Sequence, residues 1–111
     1  METRKLFLDL LVCMLALIVS CRGAAGLDPD AQRGQTFVRT NCSQCHSIDK
    51  VSPSPLNIAP PFRTLHLRYP VEHLAEALAE GIVTGHPSMP EFKLDPGQIR
   101  DVIAFLKSLE P

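Results

Sequence analysis

Cys42-Ser43-Gln44-Cys45-His46 is the stretch from which the rest of this 111-residue sequence is best read. Three chemistries use two thiols at this spacing. A structural zinc site needs a second ligand pair at short spacing, and the only later candidates, His66 and His73, are separated by six intervening residues, outside the usual pattern. A redox dithiol of the thioredoxin kind needs a βαβ unit, and no segment here alternates with the period of two that marks a strand. Covalent haem attachment needs a histidine directly after the second cysteine, and His46 stands there. The two thiols add to the vinyl groups of the porphyrin while the imidazole reaches the iron. One covalent haem c is therefore expected, on Cys42 and Cys45, with His46 as an axial ligand.

The remaining cysteines, Cys13 and Cys21, lie in an N-terminal segment with a different character. Arg4 and Lys5 precede an apolar run from Leu10 to Val19, and Gly23, Ala24 and Ala25 follow, the three regions of a secretory signal. We expect residues 1–25 to be such a signal, removed after Ala25. The alternative is a lipoprotein signal, since Ile18-Val19-Ser20-Cys21 resembles a lipobox and Cys21 would then carry a lipid anchor. Either route exports the protein to the periplasm. The run is about half the roughly 20 residues a membrane span requires, so no transmembrane segment is expected in the mature chain. Residues 26–111 then form one domain. They carry ten acidic and eight basic residues, so a basic nucleic-acid footprint is absent. So small a domain buries little surface unaided, a shortage that a large apolar cofactor relieves.

Along the mature chain, Asp28 with Pro29 next to it marks a helix start, and Ala31, Gly34, Phe37, Val38 and Asn41 or Cys42 recur at spacings of three and four. Gly34 within that helix points to a close approach of another backbone. Residues 47–62, with Pro53, Pro55, Pro60 and Pro61, read as a loop. A second helix is expected from Pro70, with Val71, Leu74, Ala75, Leu78 and Ile82 on one face, ending at Gly81 or Gly85. After a second proline-punctuated loop, Asp95, Pro96 and Gln98 spell a capping box for the last helix. Its apolar residues Ile99, Val102, Ile103, Phe105, Leu106 and Leu109 sweep about 160° of the circumference, wide enough to touch two partners. The expected fold class is all-α.

The second axial position on the iron has four candidates. Met89 is the only methionine left after signal removal, and it lies in a loop, whereas a methionine that fills a core normally sits on a periodic helical face. His66, His73 and His86 are the competitors.

With these pieces in hand, the chain resembles the small class I bacterial cytochromes c over essentially the whole mature part. The similarity is carried by Gly34 and Phe37 before the motif, the motif itself, Ala59-Pro60-Pro61-Phe62, the Met89 loop and the terminal helix with Phe105. The resemblance implies a few helices and loops wrapped round one haem, with the first and last helices of the mature chain crossing near Gly34 and Phe105. It also implies that the Pro60 carbonyl accepts the Nδ1 proton of His46. Ala59 and Phe62 stand where the family more often has Gly and Leu. The implied function is one-electron transfer with His46 and Met89 on the iron and with Phe37, Phe62, Phe92 and Phe105 shielding the haem. Arg63 or Arg68 is expected to meet a haem propionate. Partners are expected to be redox proteins, and the protein a monomer rather than an enzyme. Two other readings remain open at this point, a haem subunit of a larger oxidoreductase complex and a haem enzyme or gas-binding protein with a labile sixth ligand.

Overall fold

A computed structural model describes residues 2–19, 26–81 and 88–111. The described residues contain helices and turns and no strand. The first helix, α1 (Glu2–Val19), belongs to the expected signal, while Cys21 and the cleavage position after Ala25 lie outside the described residues. Among its described side chains, Leu6, Phe7, Leu8, Leu10, Leu11, Val12 and Met14 are each 60–72% exposed. No helix among the described residues is long and apolar enough to cross a membrane.

The domain proper is built on two helices from opposite ends of the chain, α2 (Pro29–Asn41) and α4 (Pro96–Ser108). Each starts where its local chemistry dictates. The Asp28 carboxylate accepts the Ala31 N–H at 3.0 Å, and Pro29 takes the first helical position. At α4, Asp95 accepts the Gln98 N–H at 2.9 Å while the Gln98 side chain accepts the Asp95 N–H at 3.2 Å, the reciprocal box read from the sequence. The two helices meet at Gly34. A Cβ added there would lie 2.9 Å from Phe105 Cβ and closer still to the Asp101 carbonyl, so hydrogen is the only side chain this approach admits. Ala31, Val38, Val102, Phe105 and Leu106 are buried around the contact. Arg33 locks its rim, donating to both carboxylate oxygens of Asp101 at 2.9 Å and also pairing with Asp30, while Arg100 reaches Asp30 at 3.2 Å.

The second expected helix is shorter and tighter than its periodicity implies. Residues Val71–His73 form a 3-10 turn, and only Leu74–Glu80 is α-helical (α3). No side chain caps this start; the Pro70 carbonyl instead accepts the His73 N–H at 3.0 Å, the tighter closure that leads into α3. Gly81 ends α3 at φ 102°, a conformation that disfavours any side chain, and Ile82 lies outside the described residues. Lys107 of α4 pairs with Glu72 across this junction. The stretch Phe62–Leu67, to which the sequence assigns no helix, is a 3-10 helix opened by the Pro61 carbonyl, which accepts both the N–H and the hydroxyl of Thr64.

Candidate functional site

The cysteine motif continues the C-terminal end of α2 as one further turn. The Cys42 N–H donates to Val38 O at 2.8 Å, and the Cys42 carbonyl accepts from both Cys45 (3.2 Å) and His46 (3.0 Å). This turn brings Cys42, Cys45 and His46 onto the wall of one cavity. Burial pushes the free Cys42 thiol up to about 11. His46 is 9% exposed. Its Nδ1 lies 2.8 Å from the Pro60 carbonyl, and its ring packs on Phe62 with centroids 4.6 Å apart. A carbonyl only accepts, so Nδ1 carries the proton and Nε2 is left as the lone-pair nitrogen.

Met89 stands on the same cavity, as do Phe92 and Ile58. The larger lobe, of about 420 Å³, runs back from these residues between Phe37, Val38, Leu65, Tyr69, Leu78, Val102 and Leu106. A smaller lobe of about 150 Å³ opens past Gln44, Leu56, Ser88 and Pro90. Phe37 and Phe92 meet edge to face at 6.1 Å and close one side. The donor set is two thiols, an imidazole and a thioether on an otherwise largely apolar wall. That combination fits a haem c: sulfur for its vinyl groups, nitrogen and soft sulfur for its iron, and hydrocarbon for its macrocycle. Of the other candidates for the second axial position, His66 and His73 do not line the cavity, and His86 lies outside the described residues. His66 has a buried Nδ1 with no hydrogen-bond partner among the described residues.

The two arginines separate. Arg68 lines the larger lobe and is the one cation among its described lining residues. Arg63 is engaged elsewhere: its guanidinium donates to Ser52 O at 2.7 Å, Ser47 Oγ at 3.2 Å and Asp49 O at 3.3 Å. Phe105, expected to shield the haem, is 1% exposed and packs at the Gly34 crossing, while its neighbours Val102 and Leu106 line the cavity. Phe37, Phe62, Phe92 and Pro60 all stand on the cavity wall. Leu65, Tyr69, Val102 and Leu106 were not singled out as wall residues from sequence. The periodicity of α4 marks Val102 and Leu106 as inward without saying which partner they face.

The family model described as cytochrome c matches residues 31–110. The chain belongs to the cytochrome c family, and with it come one covalently attached haem c and the role of a haem-based electron carrier. Among curated proteins it is 28% identical over 97 residues to cytochrome c-552 of Bradyrhizobium diazoefficiens, covering 87% of this chain and 91% of that one. It is 29% identical over 83 residues to the cytochrome c-553-like protein of Synechocystis sp., covering 75% and 72%. No solved structure gives a significant match.

Proposed function

We propose that the protein is an exported, monomeric one-electron carrier with haem c joined to Cys42 and Cys45, its iron held by His46 on one side and Met89 on the other. The observation that carries this reading is that His46 and Met89 line one cavity whose wall also holds both cysteines. When bound, the haem supplies one-electron exchange between ferric and ferrous iron. The protein's residues do the rest. Pro60 fixes the His46 tautomer and makes the imidazole a stronger donor. The Met89 thioether, a soft ligand, favours the ferrous state, and the apolar wall of Phe37, Phe62 and Phe92 excludes water and disfavours the extra positive charge of the ferric state. Arg68 is placed to neutralise a propionate. With His46 and Met89 both ligating, no position would be left for a substrate, which favours a carrier over a haem enzyme.

Redox proteins are the partners, meeting the haem at the mouth formed by Gln44, Leu56, Ile58 and Ser88, where Ile58 is 74% exposed. Export follows from the N-terminal segment, whether cleaved after Ala25 or lipidated at Cys21. The exposed apolar side chains Leu6 to Met14 of α1 support its being a removable signal, since among the described residues they are left facing water. The test is Met89→Ala. The oxidised variant is expected to lose the long-wavelength methionine–iron charge-transfer band, its potential to fall, and the reduced form to bind carbon monoxide. A variant that keeps the band and ignores carbon monoxide removes Met89 as the ligand.

A further inference from the structure

We propose that Arg63 is a positioning residue for His46, holding the loop that carries the imidazole against Pro60 and thereby setting the reduction potential. The inference rests on the reading of His46 as an iron ligand.

Within residues 45–63, hydrogen bonds from three directions converge on Ser47. Ser47, 4% exposed, follows His46 directly. Its N–H donates to Ser54 Oγ at 3.0 Å and its carbonyl accepts the Phe62 N–H at 3.0 Å. Its hydroxyl accepts from Arg63 at 3.2 Å. The same guanidinium nitrogen bonds the carbonyls of Ser52 and Asp49 on the far side of the loop. Asp49 shapes that side, its Oδ1 accepting the N–H groups of Val51 at 2.7 Å and Ser52 at 2.6 Å. Arg63 therefore spans the loop and presses it onto the segment that begins at Pro60. The bond between His46 Nδ1 and Pro60 O lies across this seam, and the Phe62–Ser47 bond runs beside it. A segment free of the clamp opens more readily, and the imidazole then has a weaker acceptor.

The sign of the effect distinguishes this role from a propionate partner. The Nδ1–H···O bond makes the imidazole more electron-donating, which favours ferric iron; loosening it raises the potential. Removing a cation from a propionate favours ferric iron and lowers the potential. Arg63→Lys keeps the charge, but its ammonium ends about one bond short of the single guanidinium nitrogen that meets all three acceptors.

The experiment compares Arg63→Lys with the wild type as intact holoproteins. The expected result is a raised potential, an unchanged low-spin spectrum, and about tenfold faster exchange of the His46 Nδ1 proton by NMR, as the loss of about one charge-assisted hydrogen bond implies. Ser47→Ala, which removes only the hydroxyl link, is expected to shift both readouts the same way by less. Arg33→Gln, remote at the α2–α4 rim, is expected to lower the melting temperature without moving either. An Arg63→Lys protein with an unchanged or lowered potential, or with unchanged proton exchange, overturns the proposal. In the oxidised wild type the His46 ring protons are expected to be hyperfine-shifted; if they are not, it is the ligand reading that fails.

Discussion

Gly34→Ala tests the helix crossing on which the haem cavity is built. The added methyl meets the Asp101 carbonyl and carbon, both backbone, together with Phe105 Cβ at 2.9 Å. None is the mobile end of a long side chain, so α2 and α4 must separate. Overpacking of this kind costs up to about 3 kcal/mol. Replacing a helical glycine returns about 1 kcal/mol of propensity. The net expectation is a loss of about 2 kcal/mol, or a melting temperature lower by about 8–16 °C for a domain of this size. Thermal unfolding of the holoprotein followed by far-ultraviolet circular dichroism reads it. Gly97→Ala is the control, because its Cβ would crowd no backbone atom, meeting the capping Asp95 Oδ1 at 3.1 Å and Arg100 at 3.9 Å, and that crowding is offset by the helix propensity returned, so little net change is expected. A Gly34→Ala protein as stable as its parent would refute the close-approach argument.

Two further outcomes follow from the charges. Hydrogen bonds from Arg33 hold the Asp101 carboxyl below the usual carboxylate range. A depressed folded value means that this pair's stabilisation is present at neutral pH and is lost as pH falls through the folded value, below about 4. Asp101→Asn is therefore expected to be less stable at pH 7 and to lose less on acidification, read from melting temperatures across that range. Ile58→Glu places an anion at the exposed rim of the cavity proposed to hold the haem. It is expected to lower the potential and slow oxidation by ferricyanide at low salt, with the rate difference shrinking as salt is added. An unchanged ferricyanide rate would place the electron's exit elsewhere.

What sequence reading captured here is what short-range chemistry encodes. Asp28-Pro29 and Asp95–Gln98 mark helix starts because each cap is completed within three residues, and the haem motif is a pentapeptide. Gly34 was legible because a glycine within a periodic helix needs a reason. The 3-10 helix Phe62–Leu67 was not, since it follows two prolines and is too short for periodicity to register. The Arg63 clamp was hidden for a different reason: its acceptors are carbonyls and a hydroxyl 11–16 residues away, groups every loop possesses. Phe105 shows the limit of periodicity, which marks it as inward but not whether it faces the other helix or the haem.

The pairing of α2 with α4 also bears on how the chain folds. Arg33 and Asp101, which join the two helices, are 68 residues apart, and Arg100 and Asp30 are 70 apart. Nearly the whole domain is thus one loop closed by its two ends. The chain must meet most of that closure entropy before the contact at Gly34 returns anything. High contact order of this kind slows folding relative to bundles whose neighbouring helices pair in sequence. A haem tethered at Cys42, at the end of α2, would offer the incoming Val102 and Leu106 a surface to land on while the loop is still open. The cofactor in this architecture would then serve as a template for assembly as well as a carrier of charge.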